Sequence, residues 1–224
     1  MYRPYKPGVW RIPDPELVFG QDWAVRLRHG DWPGETPATE GHDNEPTPDW
    51  ATTHRVVIVG NGGSGKTTVA NQLGDLLNLP VIHLDSLYYA TDWTPLDHEQ
   101  FAAAQTRAVQ AHRWIIEGNY ASTLPIRLAA AHVVIVLDLH PMACIWGIIK
   151  RRRRHRGGQH PQVGVYDRIT WNFLGYVLTY RRRMLPTVRR LIAEHAPMAT
   201  CVILRGRCGV RRFLDHLQAG IDPR

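Results

Sequence analysis

The chain has 224 residues, 44% hydrophobic and 21% charged, enough apolar material for one α/β domain with a packed core and an extra segment. Its formal charge of +7 is local: residues 150–190 carry 12 Lys/Arg and one acid, Asp167, while the rest is mildly acidic. Three scattered cysteines, Cys144, Cys201 and Cys208, exclude a disulfide framework or a Cys-x-x-Cys metal pair and fit a reduced, cytoplasmic setting.

The opening stretch MYRPYKPGVWRIPDPE is broken by proline and has no apolar h-region, so no signal peptide is expected. The longest apolar runs are cut by Asp138, His140 and Pro141, so no membrane span is expected. Residues 1–53 hold 8 of the 16 prolines and four of the eight tryptophans, Trp10, Trp23, Trp32 and Trp50. They read as an N-terminal extension: LVFGQDWAVRLR as a strand or hairpin docked on the main domain, and residues 33–53 as a linker with almost nothing to bury.

From His54 onward, short β-branched runs alternate with helical periodicity. RVVIVG is a buried strand, and GKTTVANQLGDLLN is a helix with Val69, Leu73, Leu76 and Leu77 at helical spacing. PVIHLD is the second strand, LDHEQFAAAQTRAVQAH a helix, RWIIEG the third strand and TLPIRLAAA a short helix. HVVIVLDL is the fourth strand, and the helix PMACIWGIIKRRRR opens with proline at a first helical position. After a Gly-rich break, residues 166–195 are largely helical with a kink or break at Pro186. ATCVILRG is the last strand and VRRFLDHLQ the last helix. The alternation predicts an α/β fold over residues 54–224, a five-stranded parallel sheet with helices on both faces.

Between the first strand and its helix, Gly60-Asn61-Gly62-Gly63-Ser64-Gly65-Lys66-Thr67 fits G-x-x-x-x-G-K-[ST]. Glycines let backbone N–H groups ring an anion, and the helix N-terminus adds partial positive charge. The expected ligand is ATP, held by residues 60–67 and Thr68. Lys66 is expected on the β- and γ-phosphates and the Thr67 hydroxyl on Mg²⁺.

Three acids follow strand runs: Asp85 in VIHLD, Glu117 in WIIEG and Asp138 in VVIVLD. Ligands of open parallel sheets collect at the strands' carboxyl ends. Phosphoryl transfer needs one carboxylate for the acceptor hydroxyl and another for the metal. Asp85 suits the first role and Glu117 the second; Asp138, facing the helix opened by Pro141, reads as structural. Tyr88, Asn119 and Tyr120 stand close enough in sequence to these acids to be acceptor-binding residues.

Residues 55–218 resemble the topology modulation (FlaR-like) proteins, P-loop relatives of adenylate kinase. The matching stretches are GNGGSGKTT, LPVIHLDSLYY, RWIIEGNYASTLPIR, VVIVLDL and IIKRRRRHRG. LDSLYY and IIEGNY are also similar to segments of uridine kinase-type enzymes, which implies Asp85 as base and Glu117 as metal ligand. Adenylate kinases carry Asp-Gly-Phe-Pro-Arg where this chain has Glu117-Gly118-Asn119-Tyr120-Ala121, so the arginine that grips an acceptor phosphate is missing there. Arg127 is the candidate substitute.

The basic run Lys150–Arg156 and Arg181–Arg183 occupy the place of a kinase lid, about residues 150–183. Arg152 and Arg156 are the arginines expected to act on the transferred phosphate. The same run beside Trp171, Tyr176 and Tyr180 also fits a nucleic-acid patch, although the helical spacing of those aromatics with Phe173, Leu174 and Leu178 points to core packing. The expectation is an ATP- and Mg²⁺-dependent kinase acting on a small acceptor, first a nucleoside or nucleoside monophosphate. The alternatives are a nucleic-acid-associated regulatory ATPase and a nucleotide sensor without turnover.

Overall fold

A computed structural model of the chain describes residues 48, 50–88, 94–154 and 170–221. Most of the expected extension, Tyr89 and Arg156 lie outside them. In chain order the elements are β1 (Arg55–Gly60), α1 (Lys66–Leu77), β2 (Val81–His83), α2 (Leu84–Leu87), α3 (His98–Val109), β3 (Trp114–Glu117), a 3₁₀ turn (Ala121–Thr123), α4 (Leu124–Leu128), β4 (Val133–Asp138), α5 (Pro141–Arg154), α6 (Trp171–Arg183), α7 (Leu185–His195), β5 (Thr200–Arg205) and α8 (Gly206–Ile221). The five strands pair in parallel in the order β2-β3-β1-β4-β5.

β1 lies mid-sheet, and its β-branched residues leave it no polar face. Val56 and Ile58 pack with Val69, Leu73 and Ile148 on one side; Val57 and Val59 pack with Leu124, Leu128 and Leu191 on the other. All four are 0% exposed, the burial that parallel strands require. Truncating Ile58 to Ala is expected to cost about 2–5 kcal/mol. The first layer is built by α1, α5 and α8, the second by α3, α4 and α7. Trp50 meets Phe213 of α8 edge to face, ring centroids 5.7 Å apart.

α6 belongs to both layers. Phe173 and Val177 pack with the first cluster and Tyr180 with the second. α3 begins at a capping box in which Gln100 N–H donates to Asp97 Oδ1 at 2.8 Å. α6 and α7 part at Met184, and Pro186 falls in the first turn of α7, where a missing N–H costs little. Among the described residues no helix is long and apolar enough to cross a membrane.

Asp85 differs from expectation, because VIHLD does not remain strand to its end. β2 stops at His83, and Leu84, 0% exposed, turns inward beneath Gly118. That burial folds the next residues into α2 and puts Asp85 in its first turn.

Candidate active site

The glycine-rich loop is shaped by close approach. Gly63 and Gly65 have φ of 74° and 95°, left-handed values that glycine adopts without strain. A Cβ on Gly63 would overlap the Cys144 carbonyl of α5, and one on Gly147 would overlap the Gly63 carbonyl. The loop is thus pressed backbone to backbone on α5. Asn61 is buried, and its Nδ2 donates to the Val177 carbonyl of α6 at 2.8 Å. Lys66 Nζ reaches back across the loop to donate to the Asn61 carbonyl at 3.1 Å. Ser64 is buried, its Oγ without a hydrogen-bond partner, whereas Thr68 is exposed on α1.

Register brings the next group together: Ile58 of β1 and His83 of β2 both pair with Glu117 of β3. Thr67 Oγ1 donates to Glu117 Oε1 at 3.0 Å, and His83 Nδ1 lies 2.9 Å from the same oxygen. Burial works against the charged form of Glu117. The His83 hydrogen bond, the charge on Lys66 and the Thr67 hydroxyl outweigh it and hold the carboxyl below its ordinary value. Two hard oxygen donors, Thr67 and Glu117, suit Mg²⁺ of the kind that takes one or two protein ligands and the rest from phosphates and water. His83 was invisible as a site residue in the sequence, because only the β2–β3 pairing sets it against Glu117.

Asp85 accepts a hydrogen bond from Tyr120 Oη at 2.8 Å. Its carboxyl is raised, first by burial and then by the charge on Glu117, against the Tyr120 bond, Lys66 and Arg151. The Lys66 ammonium, the Thr67 and Glu117 oxygens and the Asp85 carboxyl therefore gather at the carboxyl ends of β1, β2 and β3. The aromatic rings of Tyr88, Phe101 and Tyr120 stand beside Asp85, with centroids 4.8–5.5 Å apart.

The arginine whose charge is felt at Asp85 is Arg151. Arg151, Arg152 and Arg153 are all exposed on α5, and Arg156 is outside the described residues. The signal was available in the helical period: Gly147 and Ile148 face the loop, and Arg151 follows them at four and three residues.

Arg127 is in the protein interior at 0% exposure, so its guanidinium is not presented to an acceptor. Burial lowers it to about 9. Asn119 also faces protein groups: Oδ1 accepts from Gly60 N–H at 3.0 Å, and Nδ2 donates to Tyr176 Oη at 3.0 Å. Burial pushes the Tyr176 hydroxyl up to about 12. The amide therefore ties the start of the glycine-rich loop to α6. Asp138, expected to face the helix opened by Pro141, instead meets α6: Arg181 Nε lies 2.8 Å from its Oδ1 and fastens the end of α6 to β4. Tyr180 is buried, but Trp171, expected in the core, is 89% exposed.

No family model matches the sequence, and no curated protein sequence matches it. Solved structures do. A shikimate kinase from Acinetobacter baumannii in complex with shikimate is 16% identical, with a TM-score of 0.48 over 76% of this chain and 93% of that one. A shikimate kinase from Bacteroides thetaiotaomicron is 17% identical, with a TM-score of 0.45 over 75% and 98%. A sugar kinase from a Janibacter species is 18% identical, with a TM-score of 0.41 over 75% and 91%. Likeness at this level carries no assignment of substrate.

Proposed function

We propose that this protein is a P-loop phosphotransferase that moves the γ-phosphate of ATP to a hydroxyl of a small acceptor. The carrying observation is the Thr67–Glu117 contact at 3.0 Å, which brings two oxygen donors together at the mouth of a glycine-rich loop beside Asp85 and supports a metal-binding role for them. The loop N–H groups and Lys66 bind the phosphates. Thr67 and Glu117 would hold Mg²⁺, which would supply charge neutralisation on the phosphates. Asp85 orients the acceptor hydroxyl and takes its proton. A raised carboxyl is a better proton acceptor than an ordinary one, provided it stays ionised at working pH. Arg151 lies on the same side as Asp85 and offsets charge on the group in transfer.

A nucleoside is the first acceptor on this reading. The support is the resemblance of LDSLYY and IIEGNY to uridine kinase-type segments, together with the burial of Arg127, which leaves that residue unable to grip an acceptor phosphate. The FlaR-like, adenylate kinase-related assignment remains a proposal that rests on the wider set of stretches GNGGSGKTT, LPVIHLDSLYY, RWIIEGNYASTLPIR, VVIVLDL and IIKRRRRHRG. The deciding measurement is ADP release from Mg·ATP against nucleosides, nucleoside monophosphates, sugars and small hydroxy acids. Acceptor-dependent release that is lost in Lys66→Ala is the expected result; no acceptor-dependent release across those classes would overturn the reading.

The exposure of Trp171 beside the arginine-bearing α5 and α6 favours a second, subsidiary reading, a contact with nucleic acid. Binding that survives physiological salt is its test, since sequence-indifferent phosphate contacts fade there.

A further inference from the structure

Two carbonyl oxygens after Glu117, those of Gly118 and Asn119, turn into the protein toward one buried cation, while that of Tyr120 accepts the Thr123 N–H at 3.1 Å in the 3₁₀ turn. Arg127 Nη2 donates to the Gly118 carbonyl at 3.2 Å and to the Asn119 carbonyl at 2.9 Å. Arg127 Nη1 donates to Gln105 Oε1. Gln105 Nε2 then donates to Thr123 Oγ1 at 2.8 Å, and the Thr123 hydroxyl donates to the Tyr120 carbonyl at 3.2 Å. Gln105 and Arg127 are 0% exposed and Thr123 1%. Two carbonyls are thus held directly and the third through a relay of two side chains.

Capture of consecutive carbonyls from below dictates what points up. The backbone of Tyr120 is at φ 34°, ψ 68°, a conformation that bulky side chains rarely take and that persists where surroundings enforce it. In that conformation the Tyr120 hydroxyl meets Asp85 Oδ1 at 2.8 Å. A cation buried without an acid at hydrogen-bonding distance costs a great deal to keep, and none of the acceptors described around Arg127 is a carboxylate. That cost calls for a return beyond packing.

We infer that Tyr120 is a positioning residue for Asp85, and that buried Arg127, acting through Gln105 and Thr123, is what fixes Tyr120 in place. This rests on Asp85 as the base of the proposed transfer. It replaces the expected roles of Tyr120 and Arg127 as acceptor contacts with one role for both: Arg127 sets the backbone, the backbone aims Tyr120, and the hydroxyl holds one oxygen of Asp85 so that the other faces the acceptor. An Arg fork spans several acceptors at fixed angles, which a lysine cannot do.

The test uses the full chain, carbon-13 labelled, with no acceptor present. The Asp85 carboxyl resonance, assigned by its loss in Asp85→Asn, is followed through pH in wild type, Tyr120→Phe, Arg127→Lys and Gln105→Leu. Mg·ATP binding serves as the check of fold. Tyr120→Phe is expected to move the Asp85 midpoint to higher pH, because the lost bond favoured the ionised form. Arg127→Lys and Gln105→Leu are expected to move it in the same direction with ATP binding intact; if Arg127→Lys does not fold, Gln105→Leu decides. An unmoved midpoint in Tyr120→Phe overturns the inference. Movement in Tyr120→Phe alone overturns the part assigned to Arg127. With an acceptor identified, Tyr120→Phe should lower kcat on the order of tenfold or more with KM for ATP unchanged. The resonance needs no turnover, so an absent acceptor activity would sink the kinase reading without deciding this one.

Discussion

The two arms of the site are built by different means. The proposed phosphate arm, residues 60–68, is held largely by backbone contact: Gly63 lies against the Cys144 carbonyl and Gly147 against Gly63, with side-chain bonds from Asn61 to α6, from Asn119 to Gly60 and from Thr67 to Glu117 added at its edges. The acid arm, Asp85 with Glu117 to Tyr120, is held by side-chain hydrogen bonds gathered from β2, α3 and α4 around a buried guanidinium. A phosphate cradle needs N–H groups at fixed positions, and glycine backbone supplies them cheaply. A proton acceptor needs a tuned environment, and only side chains from several elements can provide one.

Removing one functional group from each arm gives the largest contrast. Asp85→Asn should lower kcat on the order of a thousandfold while ATP affinity, read by calorimetry, stays near wild type. Lys66→Ala should lower kcat by roughly a hundred- to a thousandfold and weaken ATP binding as well. Equal loss of ATP affinity in both would show that the arms are not separable.

The packing of the phosphate arm is tested next. Gly147→Ala should cost about 1–3 kcal/mol in denaturant unfolding and weaken ATP binding, because its methyl meets the Gly63 carbonyl. Gly175→Ala on α6, where an added Cβ meets nothing within 4 Å, should be neutral or stabilise by about 0.4–1 kcal/mol.

Arg151→Gln should reduce kcat on the order of tenfold, and Arg152→Gln should change it by less than about twofold. The reverse order would return the active role to Arg152.

The smallest effects are in stability against pH, where the two acids have opposite signs. Asp85 is raised on folding, so its ionisation opposes folding once pH climbs through the raised value. Asp85→Asn should therefore increase Tm at neutral pH, with the gain vanishing below the ordinary carboxylate range. Glu117 is lowered, so it stabilises above its ordinary value and loses that contribution as pH falls through the lowered one. Glu117→Gln should decrease Tm at neutral pH, with the gap closing on acidification.

How much of this was legible follows the same division. The glycine spacing, the strand runs and the alternation with helices are local patterns, so the sheet and the glycine-rich turn between β1 and α1 could be read directly. Glu117 and Asp85 could be named because they stand next to strand runs. Their partners could not: His83 meets Glu117 through strand register, and Gln105 reaches Arg127 across 22 residues of sequence. Arg127 was read as a candidate grip on an acceptor phosphate because nothing adjacent to it in sequence shows that the Gly118 and Asn119 carbonyls will be turned toward it. Asp85 was placed on a strand because Leu84 looks equally apolar in a strand or beneath Gly118.

The Gly63–Gly147 contact has a mechanical consequence. α5 cannot tilt as a rod about Pro141, because its second turn is wedged backbone to backbone against the glycine-rich loop at Gly63 and Gly147. Any bending that carries Arg151 toward or away from Asp85 has its pivot beyond Ile148, within a single helical turn of the arginine. A short lever on a fixed fulcrum moves its charge through a small arc. Any such bending would carry Arg151 over only a fraction of a helix diameter, with the glycine-rich loop as the anvil against which it turns.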